Sequence, residues 1–373
     1  MRLSVSRILA FLISLGFASA LHAEPAEKRI ALVVGNAGYH TGALPTSAND
    51  AGLIAQTLQA AGFDVIGARD LDQDSLRRAL RDFLEKATSS GSATVAFVYF
   101  SGYALQLEGE NYIVPVDAKI GRDSDIAAEA VRISDYIRPL GALDLKTSVV
   151  VLDAARKNPF LISGAPLAGG LALMEPAPRM LVAFNAAPGT VAPEQSGPYG
   201  PYAQALAEMM REGGLSLHTV FDRVRLRVND MTKGAQVPWN SKKAEASLVF
   251  FERSPDAPAA STEQGAAVRG RAIRDLGARD AYYAALERDT LEGYEEFVAA
   301  YPNDPMAKRV RAIIAARREA ITWRQTYATN KPEAFWSYLN RYPDGPHAAD
   351  ARRRLADRGF ASEPPARSAV GYR

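Results

Sequence analysis

Val149-Val150-Val151-Leu152-Asp153-Ala154-Ala155-Arg156-Lys157-Asn158-Pro159-Phe160 is the stretch whose reading decides the fold. Three β-branched residues and a leucine, with no polar interruption, read as a strand buried on both faces inside a parallel sheet. The strand ends on an aspartate and opens into a polar loop. In α/β proteins that carboxyl edge is where ligands and catalytic groups gather. Ala155 stands where a nucleophile would be useful and carries only a methyl group.

Working outward, similar apolar runs at residues 29–35, 63–66, 92–100 and 179–184 predict further strands, and 248–251 predicts an edge strand. Helical spacing separates them: Ala51, Ile54 and Leu58; then Leu76, Leu80 and Phe83; then residues 133–140, 202–211 and 217–229. Ser47 or Asn49 is the expected cap of the first helix. Residues 105–114 alternate around Glu108-Gly109-Glu110-Asn111, a hairpin signal. Strands alternating with helices predict an α/β fold, a mainly parallel sheet with helices on both faces.

The chain has 373 residues, 47% hydrophobic and 23% charged, which leaves room for two domains. A net charge of +2, with no basic stripe among aromatics, points away from nucleic acid. There is no cysteine, so disulfides, thiolate ligands and cysteine catalysis are excluded. Four scattered histidines give no zinc pattern, and no phosphate-binding or dinucleotide glycine motif occurs, so neither metal nor cofactor is expected. Residues 1–23 read as a secretory signal peptide: Arg2 and Arg7, an apolar run over 8–17, and small-residue cleavage sites ending at Ala20 and Ala23. The run is too short to span a membrane. The mature protein is expected to be exported, to the periplasm in a two-membrane cell, without a membrane span.

The strand ends carry a resemblance. Tyr99-Phe100-Ser101-Gly102-Tyr103-Ala104, then Asn111-Tyr112-Ile113-Val114-Pro115-Val116-Asp117-Ala118, then Val151-Leu152-Asp153-Ala154-Ala155-Arg156 closely resemble the caspase-like cysteine peptidases. The match is to their bacterial, metacaspase-related branch. Residues 31–36, 49–51, 186–190 and 236–239 extend it over about residues 28–252 in the right order. The resemblance implies a histidine base where this chain has Tyr103 and a cysteine nucleophile where it has Ala155. A methyl group forms no acyl-enzyme, and a phenol ionising at about pH 10 is a poor base near neutrality. What is implied is therefore a fold and a cleft, with no catalytic residue.

The resemblance also implies that Asp50 and Asp153 line a subsite for a basic side chain, and that the backbone N–H groups of Ala104 and Ala155 mark the oxyanion position. The plainer readings are Asp50 as a helix cap and Asp153 bonded to nearby backbone. The expected function is a pseudopeptidase that holds a peptide or protein partner, basic by preference, without cutting it. Two alternatives stay open. One is a hydrolase rewired around Ser101 or Tyr103, with His40, His218 and His347 the only histidines outside the leader. The other is a structural envelope scaffold.

Residues 253–267, rich in Pro, Ala and small polar residues, read as a linker. A helical-repeat domain is predicted over 268–358, opening with a helix near 268–276, and 359–373 read as a disordered tail. Tyr282 aligns with Trp323, Phe297 with Tyr338, Tyr301-Pro302 with Tyr342-Pro343 and Arg311 with Arg352, an offset of 41 residues. The pattern resembles tetratricopeptide-like units. Its aromatics are expected in the core between paired helices, with Arg317-Arg318 and Arg352-Arg353-Arg354 on solvated faces.

Overall fold

The computed structural model describes residues 27–160, 163–164, 166–194, 196–241, 248–253 and 271–364. The expected leader and most of the expected linker and tail lie outside them. The described residues open with β1 (Lys28–Gly35), α1 (Pro45–Ala60), β2 (Asp64–Arg69), α2 (Gln73–Ser90) and β3 (Thr94–Ser101). It continues through β4 (Ala104–Leu107), β5 (Glu110–Ile113), α3 (Asp123–Glu129), β6 (Val131–Arg132), α4 (Ser134–Ala142) and β7 (Thr147–Asp153). Then come β8 (Met180–Phe184), α5 (Pro201–Arg211), α6 (Leu217–Met231) and β9 (Trp239–Asn240).

Strands β2-β1-β3-β7-β8 run parallel in one sheet, closed by β9 antiparallel to β8, while β4, β5 and β6 form a small antiparallel sheet. Alternate residues of each central strand feed different cores. Val149 and Val151 join Phe97 and Tyr99 with side chains of α1, α5 and α6. Val150 and Leu152 join Val98 and Phe100 with side chains of α2 and α4. Burial on both faces is why these runs show no polar alternation. The register pairs Gly35 with Ser101 and Ser101 with Asp153, so three strand ends meet at one carboxyl edge.

Two local expectations are corrected. The expected caps of α1 are not used: Pro45 fills its first turn, no side chain caps it, and Ser47 and Asp50 are buried within the helix. Proline's fixed φ and missing N–H suit it to that position. Residues 248–251 do not extend the sheet. Val249 makes one antiparallel bridge to Ser216, and Arg29 holds the Val249 and Phe250 carbonyls at 3.0 Å each. The hairpin forms as expected, with Glu108 and Gly109 at φ 54° and 83°, the left-handed pair of a two-residue turn.

Of the helix expected near 268–276, residues 268–270 lie outside the described residues and the remainder holds a 3-10 turn (Ile273–Asp275), followed by α7 (Ala278–Arg288), α8 (Leu291–Ala300), α9 (Ala307–Thr329), α10 (Pro332–Arg341) and α11 (Ala348–Ala356). Contacts recur at the offset read from the sequence. Arg311 donates to the Pro302 carbonyl at 2.6 Å and Arg352 to that of Pro343 at 2.7 Å. Arg317 grips left-handed Asp289, and Arg358 grips left-handed Asn330. Arg317 is buried, Arg353 pairs with Asp123 and Asp350, and Arg354 pairs with Glu108 at 2.5 Å. For these three arginines the expected solvated face is corrected, while Arg318 and Arg352 are exposed as expected.

Among the contacts that bolt the helical part to the sheet part, two stand out by their burial. Fully buried Arg225 of α6 reaches Asp289 at 3.4 Å and the Leu286 carbonyl at 3.1 Å. At the other bolt, His347 joins Glu319 at 2.7 Å to Gln106 of β4 at 2.9 Å and stacks on Trp323 at 4.7 Å. Among the described residues no helix is long and apolar enough to cross a membrane.

Candidate functional site

The shared carboxyl edge of β3 and β7 brings together the residues singled out from the sequence. Ala155, two positions beyond β7, exposes no surface, and its methyl group belongs to the core shared with α2 and α4. Its N–H donates to Asn185 Oδ1 at 2.9 Å, and its carbonyl accepts from the Ala192 N–H at 2.8 Å. The position is sealed on both backbone groups.

Tyr103 is 6% exposed, edge-on to Tyr39 at 4.9 Å and to Phe160 at 6.2 Å. Its N–H donates to the Tyr39 hydroxyl at 2.9 Å, which in turn donates to the Val114 carbonyl at 3.0 Å. Burial raises the Tyr103 phenol above its ordinary range, so it keeps its proton at neutral pH. Gly42 closes over the ring at φ 72°. A β-carbon there would come within 2.8 Å of the Tyr103 hydroxyl and 2.6 Å of the Pro159 side chain. Only glycine combines that backbone with that approach.

Asp50 and Asp153 are both fully buried. Asp153 accepts the Tyr99 hydroxyl at 2.9 Å and the Arg156 guanidinium at 3.3 Å. Arg156 folds back beneath the loop, donating from Nε to the Gly102 carbonyl at 3.1 Å and from Nη2 to Ser101 Oγ at 3.4 Å. Asp50 Oδ1 accepts the Gly200 N–H at 2.7 Å, fixing the start of α5, and Oδ2 is buried without a partner among the described residues. Loss of water raises both carboxyls, Asp50 to about 7 with the nearby Asp153 charge adding to the push.

The expected open subsite for a basic side chain is thereby corrected. Both carboxyls lie under the floor, and the guanidinium that neutralises Asp153 is the chain's own. The expected oxyanion donors are engaged as well: the Ala104 N–H donates to the Ala154 carbonyl at 3.3 Å and the Ala155 N–H to Asn185. Ser101 is fully buried, and no histidine bonds to it among the described residues. His40 is exposed in the loop after β1, His218 opens α6, and His347 serves the domain junction.

An open space adjoins the sealed positions. A cleft of about 280 Å³ is lined by Leu105, Phe160, Leu167 and Val191, and also by Arg156 and Lys157. One of its edges, Gly169, is tied by its carbonyl to Gln106 Nε2 at 2.6 Å, and through Gln106 to His347.

A family model described as the caspase domain matches residues 28–249. The chain belongs to the caspase-domain family. No curated protein matches it by sequence. The caspase domain thus runs from β1 through β9, and the α7–α11 helices lie beyond the match. Tyr103 and Ala155, both singled out from the sequence, lie within the match.

Three residues that organise this edge of the caspase domain were given no role from the sequence: Tyr39, Asn185 and Tyr99, the last quoted only within a motif. Tyr99 and Asn185 carried a usable signal. A tyrosine inside a fully buried strand needs a partner for its hydroxyl, and so does an amide directly after β8. Tyr39 sits in an irregular loop, where nothing local points to it.

Proposed function

We propose that this caspase-family chain is a pseudopeptidase, holding a peptide or protein segment in the cleft beside β4 without cutting it. The observation that carries the reading is the packing of the two dyad-matched positions. Ala155 is buried with both backbone groups satisfied, and Tyr103 is wedged among Tyr39, Phe160 and Gly42. A site that had merely lost its nucleophile would still hold an open space above position 155. Here the space has been filled, while a cleft of useful size persists next to it.

The motif pattern supports placement in the metacaspase-related branch, and the pattern of residues 1–23 supports export, to the periplasm in a two-membrane cell. The duplicated aromatic and arginine contacts of α7–α11 support tetratricopeptide-like units that brace the cleft wall. The rewired-hydrolase reading has less behind it, because Ser101 is buried against a guanidinium and the Tyr103 phenol is pushed upward.

The test is to incubate the mature full-length chain with a mixed library of ten-residue peptides, then read both retained peptides and new peptide ends. Retention without new ends is the expected result. Turnover that disappears in Ser101→Ala would establish the rewired hydrolase instead. Neither retention nor turnover would leave the caspase domain as a scaffold.

A further inference from the structure

A second cavity, of about 310 Å³, lies between the small antiparallel sheet and helices α2 and α4. It shares no lining residue with the cleft beside β4, and its size falls at the lower end of small-molecule sites. Separate elements supply its polar lining: Arg77 from α2, Tyr112 from β5, Arg132 from β6, and Asp135 and Tyr136 from α4. Local structure fixes each position. Tyr112 and Arg132 are direct partners across the β5–β6 ladder, so both side chains stand on one face of the small sheet. Asp135 and Tyr136 follow at once in the first turn of α4, and Arg77 stands one turn into α2, behind the Asp72 cap.

The charges in this cavity do not balance. Its one carboxylate, Asp135, is already paired with Arg132 at 2.8 Å, in an exposed bridge of little strength. Arg77 is half-buried, and among the described residues it has neither an acid nor a hydrogen-bond acceptor. A guanidinium carries five N–H donors, so partial loss of water without a partner leaves it under-satisfied. The two phenols share that condition. Tyr112 and Tyr136 are half-buried, and neither hydroxyl has a hydrogen-bond partner among the described residues. Burial raises the Tyr112 phenol above its ordinary range, so it stays a neutral donor.

A cation entering this space would find its only carboxylate committed to Arg132. An oxyanion would find the planar fork of Arg77, which matches phosphate or carboxylate geometry, and two phenol hydroxyls able to donate. The tyrosine rings add flat apolar surface for whatever carries the charge. We propose that the cavity is a binding site for a small aromatic molecule bearing an oxyanion, with the oxyanion on Arg77 and the ring against Tyr112 and Tyr136. The site stands apart from the cleft, so peptide binding there and ligand binding here can fail separately.

The test titrates the full mature chain with phenyl phosphate, inorganic phosphate and benzamidine by calorimetry. Phenyl phosphate is expected to bind about tenfold tighter than inorganic phosphate, with benzamidine weakest. Arg77→Gln should weaken phenyl phosphate about tenfold and leave the urea midpoint unchanged, because Arg77 makes no bond within the fold. Asp135→Asn releases Arg132 from its exposed bridge and should tighten phenyl phosphate severalfold, a gain that a damaged fold would not give. Equal binding of the two phosphates overturns the part given to the rings. Benzamidine binding as tightly as phenyl phosphate overturns the anion assignment. Binding that neither substitution moves overturns the placement at Arg77, and no saturable binding of phenyl phosphate overturns the site itself.

Discussion

Replacing His347 by phenylalanine keeps an aromatic ring on Trp323 and removes both hydrogen bonds across the domain junction. The bonds run to Glu319 and to Gln106, and all three residues are buried. Glu319 keeps the Tyr338 hydroxyl, whereas the Gln106 carbonyl oxygen is left with nothing. A buried polar group stripped of its partner costs about 1–3 kcal/mol, and more where the partner is charged. The variant should therefore lose about 3–4 kcal/mol, a large share of the roughly 5–15 kcal/mol that holds a domain folded. Urea unfolding at neutral pH measures the loss. Because Gln106 also holds the Gly169 carbonyl, amide exchange should quicken in residues 166–173, some distance from the substitution. A double cycle with Gln106→Leu should show strong coupling, the second change costing much less once the first is made. A loss under about 1 kcal/mol, or unchanged exchange in 166–173, would refute the idea that the helical part braces the cleft through this bridge.

Asp50→Asn should change how stability depends on pH. The carboxyl is raised to about 7 in the fold, so between its unfolded value of about 4 and that point the native state binds more protons than the unfolded chain. Stability from this group is full below about pH 4 and falls as pH rises through 7. The Asn variant keeps the oxygen that accepts from Gly200 and should flatten that fall, giving a higher Tm at pH 8 than the parent; a steeper fall would contradict the burial argument. Tyr103→Ala should cost about 3–5 kcal/mol by opening a cavity among Tyr39 and Phe160, read as a lowered urea midpoint. Gly42→Ala should destabilise by about 1–3 kcal/mol through its left-handed backbone and the contacts with Tyr103 and Pro159, and Gly42→Ala combined with Tyr103→Ala should recover part of that loss.

The fold was legible because its central strands are buried on both faces and so appear as unbroken apolar runs, as at 149–152. What escaped was short or non-local. Trp239–Asn240 is a two-residue strand that no periodicity can announce, and residues 248–251 are apolar because they cover Phe63 and Phe97, without being paired into the sheet. That Ala155 offers no nucleophile and Tyr103 no ready base near neutral pH follows from the residue types alone. Their closure does not, because it depends on Asn185, Tyr39 and Gly42, which come from distant loops. That Asp153 is closed to a ligand was hidden for a related reason. Sequence shows Asp153 and Arg156 three positions apart, and only the folded loop shows that they neutralise each other.

A chain that holds a peptide in its cleft beside an edge that does not cut must return that peptide whole. A single-turnover incubation of the mature chain in excess over a defined peptide that it binds, followed by mass spectrometry of the recovered peptide, tests this. Intact peptide, recovered quantitatively from the complex after prolonged incubation, is the predicted result. Time-dependent cleavage, retained after repurification and lost in Tyr103→Phe or Ser101→Ala, would contradict it.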